Sequence, residues 1–145
     1  MSYSLDVNIL LYASDRSCER YHAANRFLAQ CAAGPEVLCL AWPILISYMR
    51  IATHSRIFDS PLTPDEAVGN VTALLALPNV RTVAEQDGFL DAYGHVTANL
   101  AVRGNLVPDA QLAAILFQHG VRMLYTRDRD FRKFECFEVR DPFMP

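Results

Sequence analysis

Along this chain, short β-prone apolar runs alternate with longer stretches whose apolar residues recur at helical spacing. The opening string "YSLDVNILLYA" begins with a strand-like segment. After it, "SDRSCERYHAANRFLAQCAAG" has turn-type residues, an alanine-rich body and a terminal Gly34, which predict a helix. "EVLCL" reads as a second strand, and "AWPILISYMRIATH" as a helix with Pro43 in its first turn. "SPLTPDEAVGNVTALLAL" carries the clearest local signal: Thr63 as N-cap, Pro64 at the first helical position and Glu66 completing a capping box. "NVRTV" is a third strand, and the pattern then predicts a helix from about Gln86 to Val102. Pro108 opens "PDAQLAAILFQHG", a helix apolar on nearly every side and ended by Gly120. "VRMLYT" and "FEVR" are the fourth and fifth strands.

Strands alternating with helices predict an α/β fold: a mostly parallel sheet of about five strands, covered on both faces. Without repeats, low-complexity tracts or an interdomain linker, the 145 residues are expected to form one domain spanning 1–145.

Composition narrows the function classes only modestly. With 52% hydrophobic and 20% charged residues the chain is expected to be globular rather than disordered. Its net charge of −3 gives no overall pull toward nucleic acid, although the distribution of charge matters more than the sum. Five of the thirteen basic residues (Arg122, Arg127, Arg129, Arg132 and Lys133) fall within positions 122–133, toward the C-terminus. Arginine suits phosphate because its planar fork makes paired hydrogen bonds, and a solvated surface is the competing explanation. Cys18, Cys31, Cys39 and Cys136 form no C-x-x-C pair, and His22, His54, His95 and His119 are scattered. Zinc is therefore not expected, and reduced thiols in a cytoplasmic protein are. The pattern contains no signal core and no uninterrupted span long enough for a bilayer, so no membrane association is expected.

The acids carry the chemistry. Asp6 interrupts an apolar string that continues through Val7, Ile9, Leu10 and Leu11. A carboxylate beside a core is costly unless hydrogen bonds, a cation or a metal compensate it, and Asp6 could equally serve as an N-cap. Asp109 sits in the first turn of the apolar helix, where the helix dipole alone would favour it. Asp128 and Asp130, in "LYTRDRDF", follow the fourth strand, where each could be an ordinary turn or cap residue, Asp130 capping the Phe131 to Lys133 segment.

Together the four aspartates form a set that a parallel sheet could gather at one edge, where ligands of open α/β sheets sit. Carboxylates so gathered repel one another and hold protons unless a cation neutralises them. Oxygen-only ligands suit Mg²⁺ or Mn²⁺. Such ions bind phosphate, acidify a water and stabilise a leaving oxygen in phosphodiester hydrolysis.

At these residues the sequence resembles the PIN-domain nucleases, specifically the VapC-type toxins of prokaryotic toxin–antitoxin systems. The resemblance is carried by "LDVNILLYA", "LISYMRIATHSRIF", "GNLVPDAQLAAILFQHG" and "LYTRDRDF", in that order and spacing. It implies an α/β/α sandwich and metal-dependent RNA cleavage, with Asp6, Asp109 and Asp128 at the acidic metal-site positions and Asp130 as a further acid. It also implies Asn8 and Thr126 as supporting polar residues, a cognate antitoxin protein as partner, and a homodimer. Arg127, Arg129, Arg132 and Lys133 are the candidate RNA contacts. Many family members carry Glu three residues before the arginine of the middle helix, where this chain has Ser47, which supplies no charge. Tyr48, Met49, Ile51 and Phe58 are candidates for partner contacts, with plain core as the stronger reading.

Two other functions compete. A catalytically degenerate domain of the same kind would bind RNA or a protein without cutting, as Ser47 suggests. A Mg²⁺-dependent phosphohydrolase or phosphoacceptor would also place an aspartate after its first strand, but this chain offers no separate substrate cap and Lys133 is its only lysine.

Overall fold

The alternation of strands and helices along the chain builds the architecture. The computed structural model describes residues 1–144. Its elements in chain order are β1 (Ser2–Leu5), α1 (Val7–Ser14), α2 (Tyr21–Ala33), β2 (Val37–Ala41), α3 (Trp42–Ala52) and α4 (Pro64–Leu75). They continue with β3 (Val80–Val83), α5 (Phe89–Val96), α6 (Leu106–Gln118), β4 (Met123–Tyr125), a short 3₁₀ helix (Arg129–Lys133) and β5 (Glu138–Arg140).

The five strands form one sheet in the order β3-β2-β1-β4-β5, and every pair is parallel. Helices α1 to α4 pack among themselves, whereas α5 and α6 pack on each other. Since β1 leads outward through β2 to β3 and the chain then returns to β4, right-handed crossovers put these two helix groups on opposite faces. The strand order reverses between β1 and β4, and in open α/β sheets ligands sit outside the carboxyl ends of the strands at such a point.

The core reflects this layering. Leu5, Leu40, Leu45, Ile115, Leu116 and Leu124 are fully buried. In α6, Ala110 and five consecutive residues from Leu112 to Leu116 are buried, which accounts for its nearly all-round apolar pattern. Burying each large aliphatic side chain contributes about 1.5–3 kcal/mol, so α6 is anchored strongly enough to hold Asp109 in a fixed place.

The apolar string after Asp6 is a helix of its own, α1, capped by Asp6. Two expectations need correction. The helix expected from about Gln86 to Val102 is confined to Phe89–Val96, because Asn99 takes a left-handed conformation with φ 65° that no helix continues through. Pro108 does not open α6, which starts at Leu106; proline is tolerated there because the first four helical N–H groups have no partner within the helix. The capping box of α4 is as the sequence predicts, with Thr63 Oγ1 accepting from the Glu66 N–H and Glu66 Oε1 accepting from the Thr63 N–H. Gly120 takes φ 69° just past α6, the conformation glycine adopts most cheaply.

Candidate active site

Asp6 leaves β1 in extended conformation and immediately caps α1. Its backbone N–H donates to the Tyr125 carbonyl at 3.0 Å, which ties the ends of β1 and β4 together. Its Oδ1 accepts from the Val7 N–H at 2.7 Å, and its Oδ2 accepts from the Thr126 hydroxyl at 2.9 Å. Asp6 is therefore an N-cap, and it lies at the sheet's switch point. The residue is only 6% exposed. Burial pushes its pKa up, the Thr126 and Val7 hydrogen bonds pull it back, and the charge of Asp128 adds to the rise.

Thr126 is buried at the end of β4, and its N–H donates to the Arg140 carbonyl at 2.9 Å. Its Oγ1 also accepts from the Asp128 N–H at 3.0 Å. Since that N–H can only donate, the single hydroxyl proton of Thr126 is committed to Asp6. The chain of bonds continues, because Asp128 Oδ1 accepts from the Asp130 N–H at 2.9 Å. Asp128, and not Asp130, is thus the cap of the 3₁₀ helix; Asp130 lies in that helix's first turn and is exposed. The buried rings of Phe131, Phe134 and Phe137 anchor the segment beneath.

Asp109 enters from the other face, half-buried in the first turn of α6. Its pKa is raised from 3.8 to about 6, first by burial and then by the charges of Asp128, Asp6 and Asp130, while Lys133 opposes the rise. The four aspartates therefore share one electrostatic neighbourhood at the carboxyl edge of the sheet. Among the described residues, no three acidic, histidine or cysteine side chains stand close enough together to enclose a metal ion. The donor chemistry nevertheless suits a hard divalent cation: all donors are oxygens, and a cation would relieve the repulsion that raises Asp109.

The other candidates divide. Asn8 is exposed in the first turn of α1, two residues beyond Asp6. Ser47 is half-buried midway along α3, and no hydrogen bond joins it to the carboxylates among the described residues. Arg127 Nε pairs with Asp141 Oδ2 at 3.1 Å, and Lys133 Nζ with Asp130 Oδ1 at 3.3 Å. Arg129 and Arg132 are exposed. Exposed pairs of this kind are worth roughly 0–1 kcal/mol, so they do not bar Arg127 or Lys133 from exchanging onto a phosphate. The bond between Lys133 and the acidic edge was missed from sequence, although the i, i+3 spacing of Asp130 and Lys133 in a helical turn was a readable signal. Tyr48 and Phe58 are core residues, and Met49 and Ile51 pack against that core. The exposed apolar residues of α3 are instead Trp42 and Ile46, one turn apart. No helix among the described residues is long and apolar enough to cross a membrane.

A parallel sheet in this order with acids gathered at its switch point defines a class. The sequence model of the PIN domain family matches residues 3–135, and the chain belongs to that family as a single PIN domain. Among curated proteins it is 40% identical over 143 residues to the Mycobacterium tuberculosis protein named Ribonuclease VapC48, covering 99% of each chain. It is 30% identical over 131 residues to Ribonuclease VapC37 of the same species, covering 90% of each. Among solved structures, VapBC-1 from nontypeable Haemophilus influenzae matches with a TM-score of 0.69 and 16% identity, over 99% of this chain and 100% of that one. M. tuberculosis VapC20, titled a Sarcin-Ricin loop cleaving toxin, matches at 0.66 and 19% identity, over 95% and 98%. At such identities these structures speak for the fold.

Proposed function

We propose that this chain is a divalent-metal-dependent endoribonuclease that acts as the toxin of a toxin–antitoxin pair. The observation that carries the reading is the hydrogen-bonded series Asp6, Thr126, Asp128, Asp130, with Asp109 electrostatically coupled to its acids. Relatives named as ribonucleases support the activity, and solved toxin–antitoxin assemblies of the same fold support an antitoxin protein as partner. The cytoplasm, where RNA is plentiful, is the compartment that fits this reading.

Asp6, Asp109 and Asp128 would hold a Mg²⁺ or Mn²⁺ ion, with Asp130 at its margin. When bound, the ion supplies a Lewis acid that neutralises the carboxylates, binds the substrate phosphate and promotes attack by water at phosphorus. Thr126 orients the Asp6 carboxylate, so this group needs no reorganisation when substrate arrives. With its pKa raised to about 6, Asp109 is mostly ionised at neutral pH and would be available as an oxygen ligand for the cation. Arg129 and Arg132 project from the 3₁₀ helix toward solvent and hold flanking phosphates.

Cleavage of a mixed structured-RNA pool by antitoxin-free protein, in Mg²⁺, Mn²⁺ or EDTA and beside Asp109→Asn, tests the proposal. Cutting that needs the divalent ion and disappears in the variant is the expected result. Retained cutting in Asp109→Asn would overturn it. Ser47 favours one second reading, a domain of this family that binds RNA or protein without cutting; metal-independent RNA binding with no cleavage under any divalent ion would select it. Self-association belongs to the first reading and draws on Trp42 and Ile46, which are 41% and 55% exposed. An Ile46→Glu protein with the wild-type mass in light scattering would remove that face from it.

A further inference from the structure

On the face covered by α5 and α6, at the end of α6 away from Asp109 and at the amino end of β4, lies a cavity of about 620 Å³. It opens between the ends of these two helices and the segment that follows the 3₁₀ helix, and its wall combines two kinds of chemistry. The rings of His95 and Phe117 stack there with centroids 4.6 Å apart and planes inclined by 20°. Phe117 stays 40% exposed, so the stack is not sealed into the core. Arg122, at the entry to β4, is exposed and has no ion-pair partner among the described residues. Lys133 lines the same cavity, and its Nζ reaches Asp130 at 3.3 Å. Glu135 is the single acid on the wall.

An aromatic stack beside cations disfavours a cationic ligand, and a bare phosphate would leave the rings unused. A nucleotide satisfies both features, with its base against the ring stack and its phosphate on the Arg122 fork. We propose that this cavity is a nucleotide subsite, which holds an unpaired base and adjoining phosphate of an RNA strand outside the cleavage centre. The proposal rests on the ribonuclease reading for its RNA, but not for its ability to bind a nucleotide. Because the subsite touches no reacting atom, it holds ground state and transition state alike and acts on KM rather than kcat.

The first test uses the whole protein in EDTA, where no metal-dependent cleavage intervenes. Adenosine 5′-monophosphate and inorganic phosphate are titrated separately, and the ring-proton NMR signals of His95 are followed. The nucleotide should shift these signals saturably and bind at least about tenfold more tightly than phosphate, with affinity falling as salt rises. Arg122→Ala and Phe117→Leu should each weaken the nucleotide about tenfold; leucine keeps the apolar volume and removes only the ring. In RNA cleavage both variants should raise KM about tenfold with kcat near that of the wild type.

Absence of a nucleotide-dependent shift, equal affinity for phosphate alone, or wild-type nucleotide binding by both variants would each overturn the subsite while leaving the nuclease reading untouched. Unchanged KM in both variants would overturn its part in holding substrate. Conversely, nucleotide binding that depends on Arg122, in a protein that cuts no RNA with any divalent ion, would retain the subsite and reject the nuclease.

Discussion

The Thr126 hydroxyl donates to Oδ2 of Asp6 over 2.9 Å, joining residues 120 positions apart in the chain. Thr126 Oγ1 also accepts from the Asp128 N–H, so one side chain positions two of the acids. Thr126→Val keeps the shape but strands a buried carboxylate oxygen and a backbone donor, which costs about 1–3 kcal/mol. Loss of the hydroxyl also removes an influence that lowers the Asp6 pKa, so the carboxyl holds its proton more tightly still. Urea unfolding should therefore report lower stability and RNA cleavage should fall about 10–100-fold, whereas Thr126→Ser should restore most of both. Equal activity in the valine variant would show that Asp6 needs no such support.

Asp109 makes a signed pH prediction for the metal-free protein. Its pKa in the folded chain is about 6 against 3.8 ordinarily, so between these values the folded state binds more protons than the unfolded one. Stability from this group is therefore present below about pH 4 and is lost as pH rises through about 6. In EDTA, Asp109→Asn should be more stable than the wild type at pH 7.5 by about 1 kcal/mol, a figure discounted for the residue's partial exposure, and the gain should vanish near pH 4. Thermal melts of both proteins at the two pH values check this. A variant less stable than the wild type at pH 7.5 would contradict the repulsion on which the metal-site reading depends.

Thr63→Ala provides a contrast away from the acidic edge. It removes one of the two reciprocal hydrogen bonds of the α4 capping box and should cost about 1 kcal/mol in urea unfolding. RNA cleavage at a temperature where the variant is folded should match the wild type. A loss of activity comparable to that of Thr126→Val would mean that general stability, rather than carboxylate positioning, explains both variants.

Features set by neighbours in sequence were legible, and those set by distant contacts were not. The capping box of Thr63 and Glu66 and the left-handed Gly120 depend on residues within a turn, and both stand as the sequence predicts. The run from Leu5 to Leu11 was harder, because a buried strand and a buried helix are both simply apolar. Asp6 marks the boundary between them, yet a lone aspartate does not reveal on which side the period changes. The stop in α5 turns on the backbone of Asn99, where the composition Thr97–Ala98 before it reads as helix. At the acidic edge, topology could be argued from alternating elements, but the commitment of the Thr126 proton needed coordinates. Likewise, nothing in the spacing of His95, Phe117 and Arg122 announces that they share a cavity.

Ser47 permits a test by gain. It lies half-buried on α3, a helix that packs against α1 and so against the element Asp6 caps. This position carries a neutral hydroxyl, and divalent affinity depends on the number of charged oxygens offered. Ser47→Glu should therefore tighten Mn²⁺ binding in calorimetry about tenfold or more and increase cleavage at limiting metal. The same change should destabilise the metal-free protein at pH 7.5, because a further negative charge joins Asp6, Asp109 and Asp128, and Mn²⁺ should reverse that loss. Tighter metal binding without destabilisation of the metal-free form would mean that the new carboxylate reaches the ion without feeling the other acids. No change in either would mean that position 47 does not face the metal, and that Asp130 completes the charge on its own.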